Sequence, residues 1–350
     1  MFRKGRLIGF LLTALFLWIV ARNVNPADLA AAFREADYRL VVPATLATLA
    51  GYLVRTVRWQ RIVKPRAPLE FGPAFSVLMM GFAANNLLPA RLGEFVRAYL
   101  LGRRIGARKT FGMATIILER VCDGLVLIAF LGVVSLLIPL PLWGQEVQVV
   151  SSALFLAAAV GVLALLTQED LAVRFIDILL HPLPSRLSGP LVRATGSFIS
   201  GLHSLKSRRN LLLVLGLSVA VWLLEALSYF LITRAFSIWM PASRQALAAL
   251  FLLVVVNLGI MLPSAPGYVG TFQFFAVMAL GAFAVPKETA LAVAISSHLM
   301  QYLLVTGIGL LFFARENLSF WSFGKAAADE SDQLGDTGRE DDMALPAAFR

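Results

Sequence analysis

Three ionisable side chains lie close together in the middle of a long apolar segment at about residues 110–138. Each of Glu119, Arg120 and Asp123 would cost roughly 2.5–3.5 kcal/mol at the centre of a bilayer, so we expect them to face other helices or a wet cavity. Glu119 and Asp123 are four residues apart and share a helix face, and Arg120 can pair with Asp123. The cluster could bind a charged ligand or relay a proton, or it could be a neutralised set that only holds helices together.

A second group of polar residues surrounds a break in an apolar run. Residues 85–97 read NNLLPARLGEFVR, in which a proline and a glycine interrupt the helical pattern. A helix that restarts near Gly93 would direct free N–H groups and the positive end of its dipole at an anion, such as a lipid phosphate. The candidate binding residues of this break are Asn85, Asn86, Arg91, Glu94 and Arg97.

A similar break lies in the second half of the chain, where residues 262–272 read LPSAPGYVGTF. The two breaks share a Leu-Pro pair, a short glycine-containing stretch, and glycine followed by Glu or Thr and then Phe. A polar helical position follows each break at a similar spacing, because Arg120 lies 27 residues after Gly93 and His298 lies 28 residues after Gly270. The candidate residues of the second break are Pro263, Gly267 and Gly270.

Such breaks carry information because lipid cannot satisfy free backbone N–H and C=O groups. A non-helical backbone at membrane depth must therefore be buried in protein or line a wet cavity. Paired breaks in corresponding halves of a chain are the sequence pattern of a transporter's central site. The alternative is that both are tight turns between helices and bind nothing.

Other polar side chains stand alone in apolar segments. Glu225 needs a partner, which could be an arginine from the first half of the chain. His298 and Gln301 are about one helical turn apart in the last span and could take part in coupling, or could only join helices by hydrogen bonds. We expect Asn257 and Gln273 to be interhelical contacts of the second kind.

The elements that position these residues must be membrane helices. Hydrophobic residues make up 59% of the 350-residue chain and charged residues 15%, whereas about a quarter of a globular domain is charged. Lipid must solvate this much apolar surface. The apolar segments predict an all-α, polytopic helical bundle of about eight spans, with a Gly/Pro-broken re-entrant segment in each half. These segments lie at about 7–21, 40–57, 71–88, 110–138, 149–167, 211–233, 246–262, 272–285 and 289–314.

The basic residues predict the topology, because Lys and Arg concentrate in cytoplasmic loops. Basic clusters lie at the amino terminus, at residues 55–66 and again at 91–109, so we expect the segment 71–95 to enter the membrane and return. Residues 1–320 would form the membrane domain, with a cytoplasmic amphipathic insert at about 168–209. Residues 321–350 would be a disordered acidic cytoplasmic tail. Both termini are predicted to be cytoplasmic.

Composition and motifs exclude several classes of function. The net charge of +10 is spread beside apolar spans without a nucleic-acid motif, so we expect anionic lipid and no nucleic acid as the partner. The chain contains no P-loop, no Gly-x-Ser-x-Gly elbow and no His-Glu-x-x-His motif. With three histidines and one cysteine in the chain, we predict no metal site, no cofactor and no catalytic residue.

The combined motifs resemble the membrane domain of bacterial lysylphosphatidylglycerol synthases. The resemblance rests on residues 85–97, on ERVCDG at 119–124, and on 262–272, and it spans most of residues 1–320. It implies a multi-spanning, flippase-like domain in the bacterial cytoplasmic (inner) membrane. In the two-part synthases a separate soluble domain transfers the amino acid, so a soluble transferase is a possible partner here. The chain departs from the family at 270–273, where GTFQ lacks the expected acidic residue.

The sequence therefore favours a lipid translocase, flippase-like or scramblase-like, for an anionic, aminoacylated or polyprenyl-linked lipid. In this interpretation Arg91, Arg97 and Arg120 hold the phosphate. Carboxylates would hold an amine or relay a proton, and these are Glu94, Glu119 and Asp123. The alternatives are a membrane-embedded transferase or accessory subunit for headgroup modification, and an assembly partner whose charges only join helices.

Overall fold

The computed structural model describes residues 2–88, 91–167, 207–238, 240–262 and 264–318. Over these ranges the chain is all-helical and contains no strand, which confirms the predicted fold class. The helices are α1 (Phe2–Ala21), α2 (Pro26–Glu35), α3 (Val41–Val63), α4 (Phe71–Leu87), α5 (Gly93–Ile105), α6 (Lys109–Leu137), α7 (Leu142–Thr167), α8 (Arg208–Ala235), α9 (Ala242–Gly259), α10 (Thr271–Gly281) and α11 (Lys287–Arg315). Short 3-10 turns lie at Tyr38–Leu40 and Pro266–Tyr268.

Six of the described helices are long and apolar enough to cross a membrane, namely α3 with its preceding turn, α6, α7, α8, α9 and α11. The count rises to seven if α1 and α2, which are bent by 85° relative to each other, form one broken span. Helices α4, α5 and α10 contain only 17, 13 and 11 residues. At 1.5 Å per residue each is shorter than the roughly 30 Å hydrocarbon core.

The three short helices belong to two hairpins, α4–α5 and α9–α10, each interrupted at one of the breaks. Helices α4 and α5 pack so closely that a Cβ on Gly81 would lie 2.9 Å from the Cβ of Arg97. Helices α9 and α10 approach each other in the same way, because a Cβ on Gly259 would overlap the ring of Phe275. Both hairpins therefore depend on glycine at the contact, as is common where membrane helices approach closely.

The hairpins belong to two halves with the same order of elements, α3–α6 and α8–α11. In both halves the second hairpin helix begins 16 residues before the next helix, and that next helix, α6 or α11, contains 29 residues. Helices α3 and α8 cross in antiparallel orientation, because Thr48 donates a hydrogen bond to Ser228 and Arg58 donates one to Ser218, both at 2.8 Å. The second half therefore runs in the opposite direction to the first, the arrangement of an inverted repeat.

The remaining helices pack around these halves. Helix α1 covers the second hairpin, where Phe16 stacks on Phe274 at 4.5 Å and the Thr13 hydroxyl accepts a hydrogen bond from the Ala265 N–H at 3.1 Å. Helix α7 packs on α6, with the ring of Phe155 against Gly124. Of the predicted cytoplasmic insert, residues 168–206 lie outside the described residues, as does the predicted tail 321–350.

Candidate functional site

A buried ionic cluster joins α3, α5 and α6. The guanidinium of Arg58, which is only 1% exposed, donates hydrogen bonds to Asp123 and, at 3.2 Å, to Glu119. Glu119 also forms an ion pair with Arg97 at 2.5 Å, and Arg97 lies over the ring of Trp59 at 4.0 Å. Because each carboxylate has a guanidinium partner, the charges are compensated in a region where unpaired charges would be costly.

Asp123 connects this cluster to the space between the two halves. Its carboxylate accepts a hydrogen bond from the Trp222 indole at 2.9 Å and lies 3.7 Å from the guanidinium of Arg55. Arg55 in turn lies over the Trp222 ring at 4.7 Å. Asp123 therefore holds Arg55 and Trp222 in place, and both of these side chains line a central cavity.

The cavity has a volume of about 140 Å³, enough for several water molecules or a group the size of a phosphate. Its wall contains side chains from both halves, including three arginines, two glutamates, asparagines, a histidine and several tyrosines. With the glutamates ionised and the histidine neutral, these residues carry a net charge of +1. The polar lining residues are Tyr52, Arg55, Asn85, Asn86, Arg91, Glu94, Arg120, Trp222, Glu225, Tyr229, Asn257, Tyr268, His298, Gln301 and Tyr302.

The two broken hairpins meet at this cavity through the described residues that connect their helices, which we call the first tip (between α4 and α5) and the second tip (between α9 and α10). Arg91, whose backbone is left-handed with φ 56°, donates a hydrogen bond to the carbonyl of Ile260 at 2.7 Å and lies over the ring of Tyr268 at 5.8 Å. Gly267, with φ 70°, lets the second tip approach the first, since a Cβ there would lie 3.3 Å from the carbonyl oxygen of Asn86. The breaks are thus buried in protein and border a cavity, as non-helical backbone in a membrane must be.

A series of polar contacts connects the second tip to α11. The Gly270 N–H donates to the side-chain oxygen of Gln273 at 2.8 Å, and the amide nitrogen of Gln273 lies 3.0 Å from Nδ1 of His298. Phe272 stacks on the His298 ring at 4.4 Å. His298 is therefore held by α10 while it faces the cavity.

The charged residues of the cavity wall differ in their partners. Arg120 donates a hydrogen bond to Glu94 at 3.1 Å, which joins α6 to the start of α5. Among the described residues, Glu225 has no ion pair within 4.0 Å. The positive charge of Arg55 attracts it from a longer distance. Two buried polar atoms of the wall, Oδ1 of Asn85 and Nε2 of Gln301, make no hydrogen bond there. Such groups are those that a bound polar ligand or water would satisfy.

The residues predicted from sequence fall into three groups. Most of them line the cavity, namely Asn85, Asn86, Arg91, Glu94, Arg120, Glu225, His298 and Gln301. The ionic cluster behind the cavity contains Arg97, Glu119 and Asp123. Gly267 and Gly270 shape the second tip, and Pro263 lies outside the described residues. The expected pairing of Arg120 with Asp123 does not form, because Arg120 turns to Glu94 and Asp123 to Arg58 and Arg55.

The basic cluster at 55–66, which the sequence predicts on the cytoplasmic side, contains two arginines that the structure buries in the site. Helix α3 continues to Val63, and Arg55 and Arg58 are only 8% and 1% exposed. They can be buried because Glu119 and Asp123 compensate them. Their spacing of three residues, which places both on one helix face, was the signal for a shared partner.

No group of three or more His, Cys, Asp or Glu side chains that could hold a metal ion occurs in the described part of the chain. What the arrangement can do chemically follows from its lining. Guanidiniums, amides and phenols around a small cavity can bind an anionic oxygen group, and arginine suits phosphate especially well.

The chain matches a known protein family over most of its length. Residues 6–309 match the model of a family described as the lysylphosphatidylglycerol synthase TM region. The chain belongs to this family. The resemblance seen in the sequence motifs is thereby confirmed.

Its relatives include three proteins that are 20–25% identical to it. It is 25% identical to a protein named glycosyltransferase AglD of Haloferax volcanii, over 96% of this chain but only 57% of that protein. A UPF0104 membrane protein of Methanothermobacter thermautotrophicus is 25% identical over 82% of this chain and 88% of its own length. A UPF0104 membrane protein of Methanocaldococcus jannaschii is 20% identical over 87% of this chain and 93% of its own length.

Proposed function

We propose that this protein is a lipid translocase that moves a lipid with an anionic phosphate headgroup across the bilayer through the central cavity. The observation that carries the proposal is the meeting of two oppositely oriented broken hairpins at a cavity with a net charge of +1. Inverted repeats with discontinuous helices at a central polar site are the architecture of many secondary transporters. The shared ligand chemistry is the lipid phosphate, whether it belongs to a phospholipid, an aminoacylated lipid or a polyprenyl-linked lipid.

Within this proposal the arginines and carboxylates have separate tasks. Arg55, Arg91 and Arg120 would contact the phosphate, because their guanidiniums line the cavity. Arg97, Glu119 and Asp123 would act behind them by fixing Arg55 and the α3–α6 contact. The unpaired amide atoms of Asn85 and Gln301 would bind oxygen or hydroxyl groups next to the phosphate.

The proposed setting is a cytoplasmic membrane, with both termini on the cytoplasmic side. Basic residues at the end of α5 and between α3 and α4 favour a first hairpin that opens to the cytoplasm. The second hairpin, which has the opposite direction, would then open to the other side. A separate soluble transferase remains a proposed partner.

A second candidate function is that of a membrane-embedded transferase or an accessory subunit for headgroup modification. It is favoured by the similarity to the relative named glycosyltransferase AglD, of which the chain spans 57%. The two candidates differ in what the ionic cluster does. A transferase predicts that Asp123→Asn stops product formation but leaves lipid movement unaffected.

The test is a dithionite-quenching assay on vesicles that contain the purified protein and a trace of fluorescent lipid. NBD-phosphatidylglycerol should become accessible to dithionite faster than in protein-free vesicles, and faster than NBD-phosphatidylcholine, because a net positive cavity favours an anionic headgroup. Equal rates with and without protein, for both lipids, would contradict the proposal. Equal acceleration of both lipids would contradict its selectivity for anionic headgroups.

A further inference from the structure

Glu225 is the charged side chain of the cavity whose setting differs from that of the others. It lies on α8, is 7% exposed, and lines the same cavity as Tyr52 and Trp222. The other carboxylate of the wall, Glu94, has Arg120 as its partner at 3.1 Å. Arg55, the charged group that acts on Glu225, is held by Asp123 at 3.7 Å. A lone carboxylate in a buried cavity is costly when ionised, and such groups readily take up a proton instead.

The titratable and charged groups that share the cavity wall with Glu225 come from both hairpin tips, from four neighbouring helices and from its own helix. Arg55 is the charged group that acts on Glu225, and it also lies 3.7 Å from Asp123 behind the wall. The groups are Tyr52 and Arg55 on α3, Arg91 before α5, Glu94 on α5, Arg120 on α6, Tyr229 on α8, Tyr268 between α9 and α10, and His298 and Tyr302 on α11.

An anionic headgroup in the cavity would change this balance. A phosphate that binds Arg55 would lie near Glu225, so two negative charges would share a small, poorly solvated space. Protonation of Glu225 removes that repulsion and raises the charge of the cavity wall from +1 to +2. Because linkage is reciprocal, proton binding then favours the anion, and the anion favours proton binding.

We propose that Glu225 is a proton-binding site that takes up one proton when an anionic headgroup enters the cavity and releases it when the headgroup leaves. The proton comes from the aqueous phase to which the cavity is open and returns to the phase into which the headgroup is released. This inference rests on the proposed lipid translocase. It adds that lipid movement is coupled to protons, so that a pH gradient can drive it in one direction.

The first experiment measures the initial rate of NBD-phosphatidylglycerol movement in proteoliposomes at about pH 5.5 and about pH 8.5, which bracket the range where a coupled carboxylate changes charge. The wild type should be about tenfold faster at the lower pH, a typical size for coupling between two sites. Glu225→Gln, which imitates the protonated side chain in shape, should be equally fast at both pH values, near the acid rate of the wild type.

Two further variants serve as controls. Glu225→Asp keeps a titratable carboxylate and should retain a pH-dependent rate. Glu70→Gln removes an exposed carboxylate at the start of α4 that makes no capping hydrogen bond, and should behave as the wild type. The proton proposal is overturned if Glu225→Gln keeps the pH dependence of the wild type. It is also overturned if Glu225→Gln is inactive at both pH values while Glu225→Asp is active, since Glu225 would then act as a fixed negative charge.

A second measurement separates this inference from the translocase proposal itself. Soluble dihexanoyl-phosphatidylglycerol is added to the purified, detergent-solubilised protein in weakly buffered solution, and proton uptake is followed with a pH dye. Uptake in the wild type that is lost in Glu225→Gln supports the proton site, even if the reconstituted protein moves no lipid. Equal uptake in both proteins, or none in either, overturns it, whatever the transport assay shows.

Discussion

Arg58 and Asp123 form a buried ion pair and should be strongly coupled in energy. Arg58 donates hydrogen bonds from both terminal nitrogens to the carboxylates of α6, and both Arg58 and Asp123 are less than 5% exposed. Removal of one partner of such a buried pair leaves the other charge poorly compensated, at a cost of about 3–5 kcal/mol. At about 2 °C per kcal/mol for a chain of this size, Arg58→Leu or Asp123→Leu should lower the unfolding midpoint by about 6–10 °C.

The double variant Arg58→Leu/Asp123→Leu should cost less than the sum of the single variants. It removes one positive and one negative charge together, and the pair of Arg97 and Glu119 remains. We expect the difference from additivity to be about 2 kcal/mol, within the range for residues of one ionic network.

The chain provides its own probe for this measurement. Cys122 is its single cysteine and is only 3% exposed, so a fluorogenic maleimide should react with it only as the helices separate. Labelling is followed during a thermal ramp for the wild type, the two single variants and the double variant. Two results would refute the view that the cluster is one coupled unit. In the first, the double variant loses as much stability as the two single variants together. In the second, the single variants unfold at the wild-type midpoint.

Three further predictions use the same labelling assay. Gly93→Ala should lower the unfolding midpoint by more than about 2 °C, because a Cβ at this position would overlap the backbone of α4. The control Gly132→Ala adds a Cβ in open space on α6 and should be neutral or stabilise the protein by up to about 1 kcal/mol. Equal effects of the two substitutions would contradict the close packing of α4 and α5. Gln273→Leu should cost about 1–3 kcal/mol, because it removes the side-chain partner of the Gly270 N–H and of His298, and an unchanged midpoint would contradict that contact. Native protein at room temperature should leave Cys122 unlabelled under conditions that label it fully in denaturant, and rapid native labelling would contradict its burial.

Much of the fold follows from hydropathy, because lipid imposes long apolar helices that a single sequence displays directly. The two breaks could be recognised from Pro89, Gly93 and the Pro-Gly pair of 266–267, since such residues interrupt helices and lipid tolerates few interruptions. Helices α4, α5 and α10, which are too short to span, follow from the same signals.

The partners of the charged residues could not be read in the same way. Glu119 and Asp123 predicted a compensating group, but the choice between Arg120 and the arginines of α3 depends on how α3 packs across α6. The rule that places basic residues in cytoplasmic loops does not predict the burial of Arg55 and Arg58 within α3, because it ignores compensation by carboxylates that lie more than 60 residues away. The aromatic residues of the cavity, such as Tyr52 and Trp222, have no pattern that distinguishes them from lipid-facing ones.

The most direct test of a lipid path through the cavity compares lipid movement in three matched preparations. Vesicles with wild type, Arg120→Ala or Arg244→Ala contain equal amounts of NBD-phosphatidylglycerol and protein. Arg120 lines the cavity and Arg244 is exposed at the start of α9, so the two variants lose the same charge in different places. If the lipid moves through the cavity, dithionite should reach the inner-leaflet lipid rapidly with the wild type and with Arg244→Ala, and only at the protein-free rate with Arg120→Ala. Undiminished movement with a folded Arg120→Ala protein would contradict a path through the cavity.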